Sequence, residues 1–241
     1  MRAPLSPERL QELRERIRGI EGLTERGPTE AGLSTGFASL DRVLAGRGLR
    51  AGSLVEWRGD ANSSGAMTLA LAVAAHLARD GGAIVVLDDG HEFYPVGAAG
   101  LGVPLDRTVV VRAGDPATGL WVWEQALRAP GVVVTIGWLK EVHDRIARRF
   151  QLAVEAGGGL GFLIRPPGAR APATWAVTRF EVGGVVGSGN ELDWKLRVRV
   201  MRGQAGPREA MAEVELVHEA SPVPLVSELA RPVAKRRKAR R

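Results

Sequence analysis

An α/β fold with a mostly parallel twisted sheet is what this 241-residue sequence predicts, on three observations. Between residues 53 and 165, apolar β-branched runs alternate with helical patterns in a repeated strand–helix–strand rhythm. The 31 glycines suit the many strand-to-helix turns this rhythm requires. Past Thr174 the pattern changes to polar–apolar alternation broken by glycine-rich turns, which reads as antiparallel strands extending the sheet at its C-terminal end.

The elements follow in order. Ser6-Pro7-Glu8 starts a helix, with Ser as N-cap, Pro at the first helical position and an acid at the positive dipole end. Leu10, Leu13, Ile17 and Ile20 then form one apolar stripe on a charged helix, which must pack against its own domain or a partner. Gly22 to Gly32 reads as a linker. Strands are expected at 53–58, 83–88, 108–112, 131–136 and 160–165, with helices at 66–80, 93–101, 118–128 and 140–156. Further strands are expected at 174–182, 193–202 and 211–218, and Pro222 and Pro224 open a tail with little capacity to pack. The chain thus divides into an N-terminal amphipathic helix and linker (1–32), one core (33–220) and a flexible basic tail (221–241).

A hydrophobic share of 45% with 25% charged residues is that of a globular domain, which excludes general disorder. The absence of cysteine excludes disulfides, thiol redox chemistry and Cys-based zinc sites, and fits a reducing cytosol. The longest apolar helix candidate, 67–78, is interrupted by His76 and falls short of the roughly 20 residues a bilayer span needs. No signal peptide is visible, so a cytoplasmic protein without membrane contact is expected. The net charge of +6 lies entirely in the tail, where Arg231, Lys235, Arg236, Arg237, Lys238, Arg240 and Arg241 stand without an acid. Removing those seven leaves 26 bases against 27 acids. Such a cluster attracts DNA by counterion release or an acidic partner, or else serves solubility.

Gly59 to Leu69 reads G-D-A-N-S-S-G-A-M-T-L, a phosphate-loop frame without its chemistry. A working loop, G-x-x-x-x-G-K-[ST], needs a Lys for the β/γ oxygens and a hydroxyl for Mg²⁺. Ser63, Ser64 and Gly65 keep the turn, but Ala66 and Met67 stand where the Lys and Ser/Thr belong, and five residues rather than four separate Gly59 from Gly65. His76, His91, His143 and His218 lack ligand spacing, and neither a nucleophile elbow nor H-E-x-x-H occurs. Asp88, Asp89 and Glu92 cluster after a strand, where they could hold Mg²⁺ but more commonly cap a helix. Trp121 and Trp123, two residues apart on one helix, cannot share a face, so one can be exposed as a partner anchor. Arg145, Arg148 and Arg149 crowd one helix as phosphate ligands or as a solvated face.

Taken together, these segments resemble the RecA recombinase core. Ser34-Thr35-Gly36-Phe37-Ala38-Ser39-Leu40-Asp41 is similar to its S-T-G-x-x-x-L-D opening, and Val55-Glu56 leads into the phosphate loop as in RecA. Leu87-Asp88-Asp89-Gly90-His91, Pro95 and Leu101-Gly102-Val103 resemble the second strand and the helix after it. The resemblance covers roughly residues 34–218 and implies a single RecA-like core. It also implies losses: Gly90 stands at the water-activating glutamate, Gly137 at the Mg²⁺-binding aspartate, and Arg165-Pro166 at the phosphate-sensing glutamine. Losing cation, metal ligand, base and sensor together is hard to reconcile with phosphoryl transfer, since each supplies a separate part of transition-state stabilisation, so an ATP-dependent enzyme with unusual loop ligands is a disfavoured reading. The segment 166–173 is also much shorter than the matching DNA-binding loop.

Three further segments resemble the ImuA family, accessory factors of a bacterial damage-induced mutagenesis cassette. Leu120-Trp121-Val122-Trp123-Glu124-Gln125-Ala126-Leu127, Arg148-Arg149-Phe150-Gln151-Leu152-Ala153-Val154-Glu155-Ala156-Gly157 and Trp194-Lys195-Leu196-Arg197-Val198 are similar to its W-x-x-E-x-A-L, R-R-x-Q-L-A-x-E-x-G and late tryptophan segments. Membership implies a non-catalytic adaptor in SOS translesion synthesis, without catalytic residue, cofactor or metal. It would work with ImuB, an inactive Y-family polymerase homologue, and with the error-prone polymerase DnaE2. The alternative is a regulator that binds RecA or its DNA filament.

Overall fold

The computed structural model describes residues 32–59, 64–139, 143–165, 176–184, 193–202 and 210–217. The expected N-terminal helix with Leu10, Leu13, Ile17 and Ile20, the loop residue Ser63, the segment 166–173 and the basic tail lie outside the described residues.

Eight strands form one sheet: β1 (Ser53–Gly59), β2 (Ala83–Leu87), β3 (Thr108–Val111), β4 (Val132–Trp138), β5 (Leu160–Arg165), β6 (Thr178–Gly184), β7 (Asp193–Arg202) and β8 (Ala210–Val217). Their spatial order is β3-β2-β4-β5-β1-β6-β7-β8. Neighbours from β3 through β6 are parallel, and β7 and β8 run antiparallel. The sequence assigned all three late strands to an antiparallel extension, but β6 pairs parallel with β1, and the direction reverses only at β7. Periodicity marks a half-buried strand without fixing its direction, which depends on how the preceding connection crosses the sheet.

Of the helices α1 (Ala38–Val43), α2 (Ala66–Leu77), α3 (Pro95–Gly100), α4 (Pro116–Arg128) and α5 (Asp144–Gly157), the last four match the expected segments with shifted ends, whereas α1 falls where no helix was expected. α4 begins two residues early because Asp115 caps it, accepting from the Ala117 and Thr118 amides, and Pro116 fills the first turn. Hydrogen bonding from the Thr118 side chain, then from its amide, holds the Asp115 carboxyl below its ordinary pKa. α5 begins at Asp144, after His143, and ends against Gly158 in the left-handed conformation. No helix among the described residues is long and apolar enough to cross a membrane.

Strand alternation sorts the core into two layers. On one face Val55, Trp57, Ile136, Phe162 and Phe180 pack under α1, α2 and α3, with Trp57 edge-on to Phe162 at 5.3 Å. On the other, Leu54, Leu87 and Leu163 pack under α4 and α5, where Trp123 meets Phe150 edge-on at 4.7 Å. Each such buried aromatic contributes roughly 1.5–3 kcal/mol of transfer free energy. The opening S-T-G-x-x-x-L-D segment closes on itself. The Ser34 hydroxyl, the Thr35 amide and the Thr35 hydroxyl all donate to the Asp41 carboxylate, at 2.7, 2.9 and 2.6 Å.

The two helices on the second face approach closely at Gly157, where a Cβ would collide with the Leu127 carbonyl oxygen. Helix propensity alone favours alanine there by about 1 kcal/mol, so the sign of the effect separates propensity from contact. Gly157→Ala is expected to lose about 1–3 kcal/mol in urea unfolding, the usual cost of overpacking. A variant as stable as the parent would mean that the helix pair is looser than described.

Candidate functional site

Ligands of open α/β sheets collect at the carboxyl ends of the strands, and here those ends carry the positions the sequence singled out. The glycine–serine loop leaves β1 at Gly59 and enters α2 through Ser64 and Gly65. Gly65 adopts φ +81°, a left-handed conformation natural to glycine, and a Cβ on it would lie 2.7 Å from Leu196 of β7. Ala66 is buried in the core cluster, and Met67 packs against that cluster. The first turn of α2 therefore presents no cation and, at these two positions, no hydroxyl.

The acids after β2 are committed to the turn itself. Asp88 is buried, accepts from the Glu92 and Phe93 amides at 2.6 and 3.2 Å, and pairs with Arg112 at 3.2 Å. Asp89 accepts from the Ala113 amide at 2.6 Å, tying the ends of β2 and β3 together. No group of three metal-ligating side chains occurs among the described residues. His91 has φ +55°, a strained geometry held by this Asp88-capped turn.

One row of residues crosses the sheet here, from Leu87 through Gly137, Leu163 and Glu56 to Arg179. Trp123 covers Gly137: a Cβ at that position would lie 2.9 Å from the indole Nε1. Among the described residues that buried Nε1 has no hydrogen-bond partner. An aspartate at 137 would have to displace the indole from its contact with Phe150.

Glu56, two places further along the row, is fully buried. Arg179 Nε donates to it at 3.2 Å, and the guanidiniums of Arg165 and Arg58 lie at 3.8 Å. Arg165, itself buried, also donates to the Leu139 carbonyl at 2.8 Å, linking β5 to the exit of β4. A carboxylate out of contact with water needs such cationic partners to offset its lost hydration. The cluster therefore joins β1, β5, β6 and the end of β4 through one charge. Sequence reasoning missed it as a unit. Its local signals were an acid inside the apolar run Ser53-Leu54-Val55-Glu56-Trp57 and Arg58 two residues on, while Arg165 and Arg179 are far away in the chain.

The remaining positions fall on helices. Trp123 is fully buried and Trp121 is 59% exposed, as their spacing requires. Arg149 and Arg128 both donate to the nearly buried Glu124, Arg128 at 3.2 Å. Arg145 is exposed on the first turn of α5. Gln151 donates to Glu155 at 2.9 Å and lies near the Gly52 carbonyl at 3.5 Å.

Comparison with known proteins fits this geometry. A family model of the RecA N-terminal domain matches residues 22–140. Protein ImuA of Caulobacter vibrioides strain NA1000 is 33% identical over 153 residues, covering 61% of this chain and 62% of the relative. Protein RecA of Rhodopirellula baltica is 24% identical over 226 residues, covering 77% and 60%. RecA of Teredinibacter turnerae is 40% identical over 105 residues, covering 44% and 28%. Fold and comparison together define a RecA-like α/β protein. Within that class, the chain is similar to protein ImuA. The match spans about three-fifths of the length of the ImuA and Rhodopirellula RecA relatives.

Glu56→Ala removes the carboxylate that three guanidiniums share. Losing one side of a buried ion pair typically costs about 3–5 kcal/mol, and we expect that loss in urea unfolding. A change within about 0.5 kcal/mol, the usual range for surface substitutions, would show that the cluster does not hold the strands together.

Proposed function

We propose that this chain is a non-catalytic RecA-like accessory protein of damage-induced (SOS) translesion synthesis and mutagenesis. In this reading it is a cytoplasmic adaptor that holds an ImuB-type protein and the error-prone polymerase DnaE2. The observation that carries it is the entrance to α2, where Ala66 and Met67 are given to the core and no lysine stands to receive a nucleotide. Without that cation a helix N-terminus offers an anion only backbone donors. We read Gly59, Ser63, Ser64, Gly65, Ala66 and Met67 as the remnant of a nucleotide loop, which makes the chain a pseudo-ATPase.

Three parts share the work: the N-terminal segment (1–32), an expected amphipathic helix and linker, meets partners, the core (33–220) is the frame, and the tail (221–241) adds sequence-independent DNA contact through its arginines and lysines. A second reading, a regulator of RecA or its filament, is favoured by similarity to RecA over 77% of the chain. Affinity purification of the full chain from cells expressing the native cassette, with nuclease present and absent, separates the two. The adaptor reading predicts co-purification of the ImuB-type protein and the polymerase in both cases. Recovery of RecA alone would favour the regulator, and recovery of none of the three would contradict both.

A further inference from the structure

The two helices on the second face leave two large apolar side chains exposed, Leu152 and the larger Trp121. In α4 and α5, Trp123, Leu127, Phe150, Ala153 and Val154 are core, and Glu124 fixes Arg128 and Arg149. Trp121 is 59% exposed and makes no ring contact among the described residues. Holding an indole in water forfeits its apolar burial.

Its surroundings are ordered by the same ionic pair. Both helices connect parallel strands across one face of the sheet, so they run in the same direction. The contact between Arg149 and Glu124 ties the two helices together one turn from Trp121. Glu124 lies three residues after Trp121 and keeps only about 9% of its side chain exposed, whereas the guanidinium-bearing side chains of Arg128 and Arg149 are 50% and 57% exposed. The carboxylate is thus hidden beneath two arginines that face solvent beside the indole. The other acids of α5, Asp144 and Glu155, stand at its two ends.

We propose that the outer face of α4 and α5, with Trp121 as anchor and Arg128 and Arg149 as its rim, docks an acidic segment of a protein partner that carries an apolar residue beside its carboxylates. Charge complementarity selects this occupant. An indole in an arginine rim is a hot-spot composition, and prefixed guanidiniums match carboxylates in paired donor geometry. A phosphate backbone is the poorer fit. α4 carries one acid and one base, and α5 two acids and three bases, so the pair sums to +1 and lacks the extended positive track nucleic acid requires. The chain's own arginine-rich tail would be repelled.

The proposal rests on the adaptor reading, because it supplies the surface through which a cassette partner is held. Titration calorimetry of the full chain with purified ImuB-type protein tests it, using the parent, Trp121→Ala, Trp121→Phe and Arg128→Glu. Thermal unfolding of each variant controls for folding. Trp121→Ala should weaken binding at least about tenfold, as expected for an interface anchor. Trp121→Phe should recover most of that loss, and Arg128→Glu should weaken binding more at low salt than at high salt. Parent binding matched by Trp121→Ala would overturn this surface and leave the adaptor reading standing. No binding by the parent would sink both. A Trp121→Ala effect confined to single-stranded oligonucleotide affinity, or to the sedimentation mass of the chain alone, would overturn the acidic-partner proposal in favour of nucleic acid or a second copy.

Discussion

A carboxylate buried at the centre of a sheet must be neutralised where it sits, and Glu56 is that carboxylate. Arg58, Arg165 and Arg179 meet it from its own strand and from both neighbours, so the ends of β1, β5 and β6 are fixed by one charge. The same cluster therefore fixes the end of β1 at Gly59. Arg165 stands where the RecA resemblance implies a glutamine that senses phosphate, and here its guanidinium is engaged by Glu56 and the Leu139 carbonyl.

Packing and hydrogen-bonding contacts also occupy the other strand ends. Ala66 and Met67 belong to the core on one face, and the Trp123 indole lies over Gly137 on the other. Asp88 spends its oxygens on two amides and Arg112. On our reading these contacts are coupled. A lysine at 66 would have to leave the core, and an aspartate at 137 would have to move the indole that holds α4 against α5. A change at any one of these positions would therefore cost packing.

Much of the fold was legible because parallel strands buried on both faces read as short apolar runs between helical patterns, and β1 to β5 fall within a few residues of expectation. Trp121 and Trp123 were separable for the same geometric reason, since two residues on a helix turn a side chain well away from its first direction. The direction of β6 was not legible, because alternation carries no sense of the chain's path. Nor were the Glu56 cluster and the closure over Gly137, which join residues up to 123 positions apart and exist only once the sheet order is set. The start of α4 was readable and was missed: Asp115-Pro116 is a cap followed by a first-turn proline.

If the strand ends have been given over to packing, the full chain with MgATP should release phosphate no faster than buffer, with or without single-stranded DNA. Steady-state phosphate release by the purified chain is the most direct measurement. Turnover above that background, abolished by Ser64→Ala in a protein that still unfolds at the parent's temperature, would contradict the account.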